Sequence, residues 1–288
     1  MLHEEENFKD ICNILDLNRA TLYRRMNKEC ADRKRAKDKE DFLNRKLLFD
    51  IVNLKKAHPF WGYRRVWAFL KFKKRYDNIN KKRIYRIMRD NNLLNTKEKK
   101  LKAERKFKSR PKAEKPREFL GIDATKFWIN GIGWVNLIVL IDWYTKEILS
   151  YTLSVRNRSE EWKEALLKGL NNGSFRQGIG LKKINLISDH GSQPTSHGFM
   201  RFCKDYGINQ IFATFNNPKG NTDTERVMRT IKEEVVWINE FETIDEAEEE
   251  IKDFIDFYNN EYCHSSIGCK SPAEYFNEWV RLNGGKIA

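Results

Sequence analysis

The sequence has no run approaching the ~20 uninterrupted apolar residues of a membrane span. Its longest strongly apolar run, Val135 to Asp142, is short and strand-like. No secretory leader is expected: Met1-Leu2-His3-Glu4-Glu5-Glu6 opens on acids, with neither a basic nor an apolar region behind it. Membrane and secreted classes are therefore not expected, and a cytoplasmic protein is. Cysteine is sparse, and Cys12, Cys30, Cys203, Cys263 and Cys269 are odd in number and scattered. Without paired Cys-x-x-Cys spacing, they read as reduced thiols, with no disulfide scaffold and no zinc site. No internal repeat is present.

Charge and aromatics, by contrast, are plentiful. The chain's 288 residues suggest about two domains at roughly 100–200 residues each, and 8 Trp, 10 Tyr and 18 Phe supply bulky core filling. Lys+Arg number 55 against 41 Asp+Glu, a net charge of +14. The excess is one-sided: residues 1–118 hold 36 basic and 17 acidic residues, and residues 119–288 hold 19 and 24. A basic front half joined to a mildly acidic back half suggests a polyanion-binding module attached to something that handles cations. The densest run, Asn95 to Glu118, has 11 Lys+Arg in 24 residues and too few apolar side chains for a core of its own. It reads as a linker running along phosphates, with a solvated spacer as the alternative.

Two helical units precede that linker. In residues 8–28, Ile11, Ile14 and Leu15 fit one helix face, Leu17-Asn18 breaks it, and Ala20, Leu22, Tyr23 and Met26 restart a helix carrying Arg19, Arg24 and Arg25. A basic second helix after a tight turn resembles a helix-turn-helix, whose second helix reads the major groove; a plain helical hairpin is the alternative. Farther on, Leu43, Leu47, Ile51 and Leu54 have helical spacing up to His58-Pro59. Phe60-Trp61-Gly62-Tyr63-Arg64-Arg65 follows, then a helix from Asn80 that turns Ile84, Ile87 and Met88 inward and leaves Lys81, Lys82, Arg83, Arg86 and Arg89 outside. Those cations, with Arg64 and Arg65, are candidate contacts to a DNA backbone. Trp61 and Tyr63 read as packing residues.

From Phe119 the pattern changes. Strands are expected at 119–125, 134–141, 148–155, 184–188 and 209–212, and helices at 159–170, 196–206, 223–238 and 244–262. Three meander strands followed by alternating helix and strand describe an α/β layer with a mixed sheet. Asp123 falls near the end of the first strand, Asp189 just past the fourth, and Glu225 at the start of a helix. An isolated acid in an apolar strand is costly unless it pairs or binds a cation. Three converging carboxylates repel one another unless a multivalent cation sits among them. Hard oxygen ligands favour Mg²⁺, and two such ions about 3.5–4 Å apart form a clamp for in-line phosphoryl transfer. Arg229 and Lys232 share a helix face with Glu225, at i+4 and i+7, where they can hold phosphates. Asp223 is a rival third ligand, and Asp142 reads as the cap of the Trp143-Tyr144-Thr145 turn.

The segments GIDATKFW, LIVLIDWYTKEILSYTL, LISDHGSQPTS, FNNPKGNTDTERVMRTIKEE and YNNEYCHSSIGCKSPAEYF, with 35 residues between Asp189 and Glu225, resemble the DDE integrase and transposase superfamily. With HPFWGYRRVWAFL and NKKRIYRIMRDNNLL upstream, the chain resembles the second-frame transposases of bacterial insertion sequences, which carry a retroviral-integrase-like core. The resemblance implies an RNase H-like mixed sheet flanked by helices, preceded by an all-α helix-turn-helix region. It implies Asp123, Asp189 and Glu225 as catalytic ligands of two Mg²⁺ ions, with Mn²⁺ able to substitute. It further implies Mg²⁺-dependent DNA strand cleavage and strand transfer, on transposon inverted-repeat ends and target DNA. A homo-oligomeric synaptic complex, an upstream-frame fusion or partner protein, and a nucleoid location follow from the same resemblance. The expected order is a helix-turn-helix-like segment over 1–34, a helical DNA-binding domain over 40–94, a basic linker over 95–118, the core over 119–240 and a C-terminal helical extension over 241–288. Two alternatives stay open: a catalytically silent DNA-binding descendant, and a nuclease of the same fold that only hydrolyses. The sequence departs from its relatives at His190, where Asn is common, and in the wording of the loop before Glu225.

Overall fold

The structure is a computed structural model that describes residues 18–76, 79–95, 112–171, 184–213 and 221–283, without the side chains of 25–39. The expected first helix of the helix-turn-helix, the side chain of Arg25, most of the basic linker and the loop from 214 to 220 lie outside the described residues. The chain divides into two compact units, one from Met1–Ala57 with Lys82–Leu94 and the other from His58–Lys81 with Asn95–Ala288.

The first unit contains helix α1 (Arg19–Ala57) and most of α3 (Lys81–Asp90). Where the sequence suggested a boundary between residues 34 and 40, α1 runs on without a break, since no proline or glycine interrupts it before Pro59. Leu47, Ile51 and Leu54 recur at helical spacing on α1 and are buried, as are Ile84 and Met88 on α3. Arg83 is turned inward here: its Nε donates to Asn44 Oδ1 at 2.9 Å and its Nη2 to the Glu40 carbonyl at 3.3 Å.

The second unit is built on one mixed sheet. Helix α2 (Tyr63–Phe72) is followed by β1 (Phe119–Ile129), β2 (Gly133–Asp142), β3 (Ile148–Ser154), α4 (Ser159–Leu170), β4 (Asn185–Ser188), α5 (His197–Asp205) and β5 (Asn209–Phe212). Helix α6 (Thr222–Ile231), a π-turn (Lys232–Val236), α7 (Ile244–Asn260), a 3₁₀ turn (Ser265–Ile267) and α8 (Pro272–Asn283) complete it. The strand order is β3-β2-β1-β4-β5, antiparallel across β3, β2 and β1 and parallel from β1 through β5. The pleat sorts the side chains. Leu120 and Ile122 on β1, with Ile138 and Leu140 opposite, share a core with Trp162, Ala165 and Leu166 of α4 and Phe199 and Cys203 of α5. Each large side chain so buried contributes roughly 1.5–3 kcal/mol. Gly121 and Asp123, between those residues, point to the other face, where α6 lies.

Several local expectations shift by a few residues. β1 continues to Ile129 because the hairpin pairs as far as Ile129 with Gly133, so Asp123 is mid-strand, opposite Val139. Helix α4 starts at Ser159, behind the N-cap Arg158, whose amide donates to Glu161 Oε2 at 2.8 Å. Ala247, Ile251, Phe254, Ile255 and Tyr258 are the buried stripe of α7, and Asn259 docks that helix by bonding both the amide and the carbonyl of Ile148 on β3. No helix among the described residues is long and apolar enough to cross a membrane.

Candidate active site

The site is assembled from three elements. Asp123 sits midway along β1, Asp189 follows the last residue of β4, and Glu225 is in the first turn of α6. β4 pairs parallel to β1, with Gly121 opposite Ile187, so the chain leaves β4 beside the residues that follow Gly121. Helix α6 reaches the sheet because residue 121 has no side chain. A Cβ there would fall 2.0 Å from Thr224 Oγ1 and 2.5 Å from Trp143 Nε1. Trp143 Nε1 donates to Thr224 Oγ1 at 3.2 Å, which fixes the residue next to Glu225 against β1. A glycine inside an apolar strand is the sequence signal for such close approach.

Electrostatics tie the three acids together. Burial pushes the Asp123 carboxyl up to about 6, and the Asp189 and Glu225 carboxylates push in the same direction. The Ala124 amide, which donates to Asp123 Oδ1 at 2.8 Å, and the Lys232 ammonium oppose them. Asp123 is half-buried, while Asp189 and Glu225 are exposed. A half-buried carboxylate held among like charges fits a divalent cation by its donor set alone. Among the described residues, no three His, Cys, Asp or Glu side chains stand close enough to hold an ion as they are placed. The acids thus share a field without forming a closed coordination shell. The Gly191 amide donates to Asp189 Oδ1 at 3.1 Å, and His190 stacks on Phe212 with ring centroids 4.9 Å apart.

Neighbouring acids are already engaged. Asp223 Oδ2 accepts from Lys146 Nζ at 2.9 Å, which directs it away from the role of rival ligand. Asp142 is fully buried, and Arg117 Nη1 donates to its Oδ2 at 3.1 Å. The amides of Arg117, Tyr144 and Thr145 and the Thr145 hydroxyl also donate to the Asp142 carboxylate, so it caps the turn after β2 as expected. Arg117, counted in the basic linker by sequence, is wholly buried and belongs to the core.

The cations expected on DNA separate into two groups. Arg24, Lys82 and Arg86 are exposed in the first unit. In the second, Arg229 is exposed but bonds Glu233 at 2.8 Å, and Arg64 Nε donates to Tyr63 OH at 3.2 Å. The Lys81 ammonium lies 4.5 Å from the centre of the Trp67 ring. Arg65 is drawn into the interior, 3.4 Å from Glu234 and 4.8 Å from the centre of the Tyr262 ring. Trp61 is fully buried and stacks on His58 at 4.1 Å, so it is a packing residue. Glu234 and Gly121 had no assigned part in the sequence reading.

Comparison with known proteins agrees with this architecture. A family model described as "Integrase core domain" matches residues 113–218, a second of the same description matches 206–272, and an "HTH-like domain" model matches 43–100. These matches support an insertion-element transposase with an integrase-like core. It is 24% identical over 224 residues to "Transposase InsD for insertion element IS2A/D/F/H/I/K" of Escherichia coli, covering 76% of this chain and 74% of that one. Among solved structures, the catalytic core domain of BIV integrase covers 58% of this chain and 98% of its own, at 18% identity and a TM-score of 0.42. The simian T-cell lymphotropic virus intasome in complex with PP2A regulatory subunit B56 gamma covers 78% and 74%, at 16% identity and a TM-score of 0.48.

Proposed function

We propose that the chain cuts and joins DNA at the ends of its element, with Asp123, Asp189 and Glu225 as the catalytic carboxylates. The observation that carries this is the half-buried Asp123 carboxyl on β1, pushed upward by burial and further by the charges of Asp189 after β4 and Glu225 on α6. An arrangement that disfavours its own ionisation gains most from a multivalent cation. Those three residues would hold Mg²⁺, or Mn²⁺ in its place. When bound, the metal supplies charge stabilisation for the attacking and departing oxygens of an in-line displacement. The chain's own contribution is placement. The Thr224–Trp143 contact keeps the start of α6 on β1, and Lys232, whose charge reaches Asp123, is set to neutralise a scissile phosphate. No covalent protein–DNA intermediate is required.

Arg24, Lys82 and Arg86 support end recognition by the first unit, within the reach of the HTH-like match for the latter two. Joining two ends calls for a homo-oligomeric synaptic complex on double-stranded DNA, acting at the bacterial nucleoid in the cytoplasm, with an upstream-frame protein as fusion or partner. The test is a strand-transfer assay with labelled element-end DNA and Mg²⁺, comparing wild type with Glu225→Gln. Joined product is expected from the wild type and a loss on the order of 10³-fold or more from the variant, with end binding kept. Binding without cutting under Mg²⁺ and Mn²⁺ would instead establish a silent DNA-binding descendant, and cutting without joining a nuclease.

A further inference from the structure

The HPFWGYRR segment, whose arginines the sequence offered to DNA, has a different engagement. Glu234 lies in the π-turn that follows α6, and its side chain is 1% exposed. His58 Nδ1 donates to Glu234 Oε2 at 2.9 Å, and Arg65 Nη1 donates to Oε1 at 3.4 Å. The two donors are themselves held. His58 is stacked between Trp61, at 4.1 Å and 8°, and Phe257, at 5.3 Å and 11°. The Arg65 guanidinium lies over the Tyr262 ring. A buried carboxylate between two fixed donors is a strong anchor, because removing either side leaves a desolvated charge without its partner.

What the anchor holds is the stretch of backbone that presents Lys232. The Trp237 amide bonds the Lys232 carbonyl at 2.8 Å, the i to i+5 closure of a π-turn. Such turns are uncommon and concentrate at functional sites. Two residues apart on one turn, Lys232 and Glu234 look in opposite directions. The first closes α6 seven residues after Glu225 and so lies on the same helix face as that acid, and the second faces the interior.

We infer that Glu234 is a positioning residue for the active site, and that His58 and Arg65 hold it so that the π-turn aims Lys232 at the reacting phosphate. This rests on the reading of Asp123, Asp189 and Glu225 as the catalytic centre. Arg65 then serves the chemistry from within the protein and not as a contact to DNA.

The experiment is a double-mutant cycle on the full chain, following joined product at saturating Mg²⁺ and element-end DNA, with end-DNA affinity and thermal melting measured alongside. Glu234→Gln is expected to slow joining by up to about 10²-fold, the cost of a misplaced group, with the affinity for ends within about twofold of wild type. In a Lys232→Ala background the same change is expected to add less than about threefold, because the two residues act as one device. Should Glu234→Gln fail to fold, His58 provides the second route. His58→Phe keeps the stack and loses the donor, and is expected to show the joining defect. His58→Asn retains an N–H donor and is expected to restore part of the rate. Fully multiplicative losses in the cycle, or a His58→Phe protein that joins like wild type, would overturn the inference while leaving the catalytic reading intact. Wild-type protein that never joins ends under these conditions would remove both.

Discussion

Asp123 and Asp142 occupy neighbouring strands of one sheet, and both are strand acids in otherwise apolar sequence. Their surroundings are opposite. Asp142 accepts from three amides, a hydroxyl and a guanidinium, and nothing of its charge is left to seek a partner. Asp123 accepts one amide and otherwise looks at two further carboxylates and a lysine. The same residue type is a structural cap where its lone pairs are filled, and a candidate for metal binding where they are not. What separates them is the neighbouring chain. The turn after β2 folds back on Asp142, whereas β1 runs straight past Asp123 into a hairpin four residues longer than the apolar pattern suggested.

The largest effect on stability is expected at the filled site. Asp142→Ala leaves Arg117 buried without its first partner, and breaking a buried pair in this way costs roughly 3–5 kcal/mol. Arg117 Nη2 keeps Glu147 at 2.6 Å, so the lower end of that range is expected. Chemical denaturation would read the loss as a lower midpoint with an unchanged slope. A midpoint close to wild type would mean that the Arg117–Glu147 pair alone secures the turn, and the contrast between the two aspartates would lose its structural half.

At the unfilled site the sign reverses. The Asp123 carboxyl is raised from 3.8 to about 6, so between those values the folded protein binds more protons than the unfolded chain. Stability contributed by the protonated form is therefore present at acid pH and lost as pH rises through about 6. Asp123→Asn is expected to abolish joining but to remove that loss. Well above pH 6 it is expected to be more stable than wild type by up to roughly 3 kcal/mol, and below pH 4 no more stable. Melting curves across this window, without divalent metal, are the check. A variant less stable than wild type at neutral pH would contradict the placement of Asp123 among like charges.

These two sites also mark how far sequence carries. Strand and helix identities were legible because apolar spacing switches from helical to alternating at Phe119, and the helix expected over 244–262 is present as α7 over Ile244–Asn260. The order of the acids along the chain was legible for the same reason. Three things were not. Arg117 sits in a run of 11 cations, and nothing in the sequence of that run marks it for burial. Arg65 and Arg83 carry the charge expected of a DNA contact, yet their partners Glu234 and Asn44 lie 169 and 39 residues away in sequence. The π-turn has no propensity signature, since the extra residue per turn is imposed by packing.

A smaller effect sharpens the role of the close approach at Gly121. Gly121→Ala places a methyl within 2.0 Å of Thr224 Oγ1. Either the threonine turns and releases Trp143, or α6 lifts from the sheet. Overpacking of this kind costs about 1–3 kcal/mol, and because Glu225 is the next residue, joining activity is expected to fall further than stability does. The pairing with Thr224→Ser is informative. The serine retains the hydroxyl that Trp143 uses, so Thr224→Ser alone is expected to be mild, and combined with Gly121→Ala it should recover little. Recovery of full activity in the pair would mean that crowding by the threonine methyl, and not displacement of the hydroxyl from Trp143, caused the loss.

The smallest effect is expected two residues before Glu225. Asp223 shares the first turn of α6 with the catalytic candidate, but its Oδ2 is 2.9 Å from Lys146 Nζ. Lys146 stands at φ 68°, in the left-handed region that a non-glycine residue occupies only when its surroundings insist. Its amide bonds the Asp142 carbonyl, its ammonium also bonds the Trp143 carbonyl, and its own carbonyl accepts from Tyr258. Asp223 thus braces the turn that Asp142 caps, and belongs with the filled acid and not with the open one. Asp223→Asn can keep an oxygen toward Lys146, so a loss of about 1 kcal/mol or less is expected, with joining kept within a few-fold of wild type. Parallel assays of Asp223→Asn and Glu225→Gln make the distinction directly. If the first abolished joining as fully as the second, the third carboxylate would have to be reassigned and the boundary between capped and reactive acids redrawn through α6.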